Sequence, residues 1–239
     1  MIQISALNAL DVLPSEERFQ LAGSLLNDPI KSVRIQAASK LASVSRSGLD
    51  DKQTLQLETA IAEYITVQKG NSDRAFAHVN LGNLYIDLTR YDDAEHAYKK
   101  AIELERSFVP AFVNLADLYR LQNSEQKAES TLREAIAVND HVSAVHHALG
   151  LSLVRQKRYE EGLLNLERAS QIDPVNTQYN YVYAVALNSM GFNEKAITVL
   201  EDIHKHHPTN RQALLSLTSI NQQTGNLSVS INYAEKLLI

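Results

Sequence analysis

From Ala75 onward, apolar side chains return to the same places every 34 residues. One column reads Leu81, Leu115, Leu149, Tyr183 and Leu217, and the next reads Gly82, Ala116, Gly150, Ala184 and Thr218. Farther along come Ala94, Ala128, Gly162, Ala196 and Ser230, then Tyr98, Leu132, Leu166, Leu200 and Ala234. A fixed period of this length means one supersecondary unit stacked on copies of itself, each covering its neighbour's apolar face. Within a unit the spacing is helical: Leu81, Leu84, Tyr85 and Leu88 lie on one face of a first helix. A turn follows at Thr89-Arg90-Tyr91, with Asn123, Lys157, Gly191 and Gly225 in the equivalent turns, and a second helix runs from about Asp92 to Leu104. Small residues in the Gly82 and Ala94 columns let two helix axes approach closely. Pro174 and Pro208 close two of the units. The predicted fold is all-α, an α-solenoid of about fourteen helices wound as a right-handed superhelix of stacked pairs.

The period holds over residues 75–239, as units 75–108, 109–142, 143–176, 177–210 and an incomplete 211–239. Residues 50–74 supply a joining helix, with Leu57, Ala60, Ile61, Tyr64, Ile65 and Val67 on its apolar side from Thr54 to Gln68. Ala60 and Tyr64 are in phase with Ala94 and Tyr98, but no first helix precedes them, because Ser45 to Asp51 is polar and turn-like. In residues 1–49 the run from Asp28 to Leu41 resembles the second helix of a HEAT repeat, with Asp28 as cap and Pro29 in the first turn. Ile2 to Leu10 looks like the same helix 31 residues earlier, and Ser15 to Leu26 supplies the partner helix between them. The chain therefore opens on half of one repeat and closes inside a helix of another, as expected of a module excised from a longer protein.

The columns from Ala75 to Ile239 resemble the tetratricopeptide repeat. The departures are few. The first large position, usually aromatic, holds His78, Phe112, His146, Asn180 and Leu214, and the fifth unit places Asn221 at a large position, as expected near a solvated end.

Composition bounds the chemistry. The 239 residues are 44% hydrophobic and 21% charged, with a formal charge of −5 and no long basic run, which argues against nucleic acid as partner. There is no cysteine, which excludes disulfides, thiolate metal sites and a cysteine nucleophile. No apolar run is long enough to span a membrane. Met1-Ile2-Gln3 has neither the basic stretch nor the cleavage site of a secretory leader, so the expected location is cytoplasmic unless a leader lies upstream. No phosphate loop, nucleophile elbow or HExxH pair is present, and no enzymatic activity and no cofactor are expected of this chain. His204 and His207 are three apart and are the one weak metal candidate, with no carboxylate or thiolate to complete a site. His146 occupies a packing column and is read as a core residue. Arg155-Gln156-Lys157-Arg158 spans a helix end and a turn and reads as solvated surface, with an anionic partner as the minor alternative.

A stack of helix pairs lines its concave face with first helices. The residues in phase with that face are Phe76, Val79, Asn80 and Asn83 in the first unit, and Val113, Asn114, Asp117 and Arg120 in the second. They continue as His147, Leu151 and Val154 in the third unit, and Tyr181, Val185 and Asn188 in the fourth. One end is rich in asparagine and the other is apolar. This suits a protein or peptide partner, with asparagines bonding main chain and apolar side chains seating anchors. The exposed ends of the stack also offer surfaces for homo-oligomers. By resemblance to co-chaperone tetratricopeptide domains, Asn83 and Asn114 sit where a carboxylate clamp has its asparagines. The clamp's basic positions fall at Val79, Ala144 and Ala148, so that clamp is not expected.

The whole pattern, from LLNDPIKSVRIQAASKLA through VNLGNLY to HHALGLSLVRQKRYEEGLLNLERA, resembles the C-terminal HEAT and tetratricopeptide region of bacterial multihaem c-type cytochromes. That resemblance implies an alternative role as a non-catalytic docking arm of a periplasmic electron-transfer protein. It places the haems upstream of Met1, since CxxCH is absent here.

Overall fold

The computed structural model describes Leu7 and residues 9–238, and these hold thirteen α-helices, three short 3-10 helices and no strand. The fold is all-α, a helical solenoid. The chain forms two compact units, Met1–Leu118 and Tyr119–Ile239.

The first unit begins with α1 (Ser15–Ala22), α2 (Lys31–Leu41) and α3 (Asp51–Lys69). The expected partner helix over Ser15 to Leu26 stops early: α1 gives way to a 3-10 turn over Gly23–Asn27. Gly23 lies where a Cβ would stand 2.9 Å from the Phe19 ring, so a larger residue there would have to displace that ring. α2 starts later than expected. Ile30 is its N-cap, Pro29 stays outside, and Asp28 Oδ1 accepts from the Ile30 N–H at 2.8 Å instead of capping. The matching helix expected over Ile2 to Leu10 falls mostly outside the described residues. α3 is longer than Thr54 to Gln68 because Asp50 and Gln53 close a capping box at its start.

The first repeat pairs α4 (Ala75–Asp87) with α5 (Tyr91–Leu104), and the second opens with α6 (Val109–Leu121), whose last turn crosses into the second unit. Leu26, Ala37, Leu41, Leu57, Ala60, Ile61 and Leu84 share one core, so the N-terminal helices are packed on the first repeat as one body.

The second unit holds α7 (Glu125–Val138), α8 (Ser143–Arg155), α9 (Tyr159–Ile172), α10 (Thr177–Ser189), α11 (Asn193–His206), α12 (Arg211–Gln223) and α13 (Leu227–Lys236). Each helix packs on the next along this series from α7 to α13. The predicted columns form its core, with Leu166, Tyr183, Ala184, Leu187, Ala196, Leu200, Leu214 and Leu217 buried together. Asn221 departs from expectation. It is 3% exposed, and its side-chain amide donates to Leu217 O at 2.8 Å, so a polar side chain is accommodated inside the last pair by bonding back to its own helix.

All five predicted turns place the same repeat position in left-handed backbone: Thr89, Asn123 and Lys157 at φ 57, 57 and 62°, Gly191 and Gly225 at 84 and 83°. This conformation ends the first helix and reverses the chain.

Candidate functional site

In the first unit, α4 and α6 carry Asn80, Asn83 and Asn114, of which Asn83 and Asn114 are bonded to each other and Asn80 is bonded separately. Asn83 Oδ1 accepts from the Tyr98 hydroxyl at 2.7 Å and from Asn114 Nδ2 at 2.8 Å. Asn80 Nδ2 donates to Gln68 Oε1 at 3.2 Å. Tyr98 arrives from α5 through the gap left by Gly82, and its ring is 2% exposed. Burial, with the Asp87 and Asp117 carboxylates nearby, pushes its phenol well above the ordinary tyrosine range. Of the other predicted positions, Phe76 and Asp117 are exposed and Val113 is half-buried. Val79 is not on the open face: it is 6% exposed and belongs to the core.

Beside Asn80 and Asn83 lies a small polar cavity of about 270 Å³ that the sequence pattern did not reveal. Arg18, Ser39, Lys40, Tyr64, Leu84 and Asp87 complete its wall. Burial, reinforced by Asp87, pushes the Tyr64 phenol up to about 12. Arg18 and Lys40 belong to the N-terminal helices, which no repeat arithmetic connects to Asn83. A larger cavity of this unit, about 770 Å³, lies apart from these asparagines, between α1 and the start of α3, lined by Phe19, Val44, Ser45 and Gln53 among others.

The second unit carries an apolar cavity of about 480 Å³. Leu151, Val154 and Val185 line it as a group, joined by Tyr159, Leu166, Val182, Ala186, Ser189 and Met190. Val185 is 41% exposed and forms part of the mouth. Tyr181 is not in the wall; its hydroxyl lies 3.5 Å from Ser216 Oγ on α12. Asn188 is half-buried on α10, and Arg120 is half-buried on α6. His147 stacks on Tyr179 with ring centroids 4.7 Å apart. Its Nδ1 is buried without a partner, and burial lowers its pKa. His146 is a core residue as read, held by Asp140 O at 2.9 Å and Asn165 Oδ1 at 3.2 Å.

The basic run is not a free cationic surface. Arg155 bonds Glu125 at 2.6 Å, Gln156 bonds Glu129 at 3.0 Å, and Arg158 bonds both Glu129 at 2.7 Å and Glu161 at 2.6 Å. Burial pushes the Glu125 and Glu129 carboxyls up, and the hydrogen bonds from Arg155, Ser152, Arg133, Gln156 and Arg158 outweigh it, so both are held below the usual range. The Arg158 bond likewise lowers Glu161. At the end of α11, His204 Nε2 lies 3.1 Å from Lys236 Nζ and its ring meets Tyr233 edge-on. His206 and His207 line a separate cavity of about 380 Å³ with Asp202 and Pro174. Among the described residues no group of three or more His, Cys, Asp or Glu is placed to hold a metal ion. No described helix is long and apolar enough to cross a membrane.

Two of the units match the tetratricopeptide repeat family model, over residues 75–108 and 109–141. The chain is 31% identical over 160 residues to ETO1-like protein 2 of Arabidopsis thaliana, a match covering 66% of this chain and 16% of that protein. It is 29% identical over 107 residues to the type IV pilus assembly protein PilF of Pseudomonas aeruginosa, covering 45% of this chain and 42% of PilF. The chain therefore spans less than half the length of either relative. The solved PilF structure superposes with a TM-score of 0.60 at 21% identity, covering 71% of this chain and 77% of that one. YrrB, described as a tetratricopeptide protein with an unusual peptide-binding site, superposes with a TM-score of 0.56 at 19% identity, covering 72% of this chain and 88% of that one. These structures establish the fold. The HEAT-like and cytochrome resemblances find no counterpart in these matches.

Proposed function

We propose that the chain is a non-catalytic protein-interaction scaffold that holds a segment of a partner protein against the open faces of its first helices. The observation that carries this reading is the unspent hydrogen-bonding capacity of the asparagine cluster. Asn83 accepts from Tyr98 and Asn114 and is exposed, while Asn80, bonded to Gln68, and Asn114 are half-buried, so amide groups are left for a ligand. Neutral amides on a rigid helix face suit main-chain groups, which carry no net charge and repeat along any peptide. The apolar cavity of the second unit supports the same reading. No charged side chain lines it, so it suits an aliphatic or aromatic anchor, whose burial releases about 25 cal/mol per Å². Proteins with this fold include one described as peptide-binding. A carboxylate clamp is not part of the proposal: Val79 is buried, Ala144 and Ala148 are uncharged, and the nearby cations Arg18 and Lys40 come with Asp87.

The test is selection of peptides from a random display library on the intact chain, followed by binding to two variants. Leu151→Asp with Val185→Asp places charge in the apolar cavity, and Asn83→Ala with Asn114→Ala removes the amides. Loss of binding in either variant, with helicity retained, supports the proposal. Full binding in both overturns it.

A further inference from the structure

Building on the proposed open-face reading, we infer that Tyr98 is a positioning residue that fixes which way the Asn83 and Asn114 amides face. The pair is thereby set to recognise one main-chain amide of a bound segment, carbonyl toward Asn83 and N–H toward Asn114.

The argument is one of satisfied donors. The Tyr98 ring is buried, so its O–H needs an acceptor inside the protein. Its bond is to Asn83 Oδ1, at 2.7 Å. Turning the Asn83 amide over would set an N–H₂ against that hydroxyl and leave the phenolic proton without its acceptor. Asn83 is therefore fixed with its oxygen inward. Asn114 must follow, because an inward oxygen on Asn83 accepts only from Asn114's nitrogen, and the 2.8 Å bond is of that kind. What remains for solvent is the Asn83 N–H₂ beside the Asn114 carbonyl oxygen. A donor next to an acceptor on neighbouring helices is the complement of a peptide group, which offers C=O and N–H together. A lone carboxylate would use only the donor, and a lone ammonium only the acceptor.

Gly82 makes the arrangement possible. Without a side chain at that position, the Tyr98 ring lies across α4 and its hydroxyl reaches past to the next residue, Asn83. A small residue read from the sequence as a packing device thus also governs the chemistry of the open face.

The experiment records side-chain amide ¹⁵N–¹H spectra of the intact chain titrated with N-methylacetamide, a single peptide group, with acetate and methylammonium as charged controls. Tyr98→Phe keeps the ring and removes the hydroxyl, and its thermal midpoint is measured alongside. The expected result is that N-methylacetamide shifts the Asn83 and Asn114 signals in the wild type, and that Tyr98→Phe weakens this response by about tenfold, one hydrogen bond's worth of orientation. A merely structural Tyr98 would change the midpoint without changing the titration. Equal titrations in wild type and Tyr98→Phe overturn the positioning role while leaving the open-face reading intact. A response to acetate or methylammonium alone overturns the main-chain assignment. No response at any open-face amide in the wild type overturns the reading of this face together with the inference.

Discussion

Gly82 and Tyr98 form a fitted pair: a Cβ on Gly82 would stand 2.6 Å from Cδ1 of the Tyr98 ring, closer than carbon atoms approach. Gly150 repeats the arrangement one unit beyond Ala116. There a Cβ would meet Leu166 Cγ at 2.7 Å and the Gly162 carbonyl oxygen at 3.0 Å. Helix propensity favours alanine over glycine by about 1 kcal/mol, and overpacking costs about 1–3 kcal/mol. Overlap with buried atoms wins, so Gly82→Ala should lower the urea midpoint. Gly150→Leu should cost more, above about 3 kcal/mol, since a backbone carbonyl cannot turn aside as a side chain can. Unchanged midpoints in both would contradict the packing.

The turns give the opposite sign. Thr89 is β-branched and sits at φ 57°, and Lys157 at 62°. Such residues are strained in left-handed backbone, and glycine is not. Thr89→Gly and Lys157→Gly should each stabilise by about 1 kcal/mol in denaturant titrations, with Asn123→Gly gaining less because asparagine tolerates this region. Destabilisation by Thr89→Gly would mean that its side chain contributes more than its strain.

The glutamates of α7, with Glu161 of α9, predict the acid limb of stability. Glu125, Glu129 and Glu161 are held below the carboxylate range in the folded chain. A group depressed on folding contributes stability that is complete above its unfolded value near 4.5 and is lost as pH falls through the folded value. Melting temperature should therefore hold down to about pH 5 and then fall. Glu129→Gln should flatten that fall and cost about 1 kcal/mol at neutral pH, since Arg133 and Arg158 are partly solvated.

His147 acts in a higher pH window. Its folded pKa is lowered from 6.5 by burial, with Nδ1 left without a partner. Its contribution is present above the unfolded value and lost as pH falls through the folded one. Between about pH 7.5 and pH 5.5 the wild type should lose stability that His147→Leu retains. Parallel pH curves for the two proteins would rule out this source.

Much of this was legible in the residues, and the limits have physical reasons. The 34-residue columns dictated the helix pairs and their buried faces because close packing tolerates few side chains at a recurring contact. Turn positions followed from the same arithmetic. Asparagines 80, 83 and 114 were found by helical phase, but their bonds to Gln68 and Tyr98 were not, since Gln68 and Tyr98 lie on second-type helices whose inward faces read simply as core. Val79 was misplaced because phase alone cannot separate adjacent strips of a helix that is apolar nearly all round. Arg18 and Lys40 lie outside the repeat, so no column pointed to them. The role of Arg155 and Arg158 depended on glutamates one helix earlier, a pairing set by stacking.

The most direct measurement is chemical-shift mapping of a library-selected peptide on the isotope-labelled chain. The account predicts that perturbations concentrate on Asn80, Asn83 and Asn114, or on Leu151, Val154 and Val185. Perturbations confined to the outward residues of the second helices, such as Glu95, Lys99 and Glu160, would contradict it.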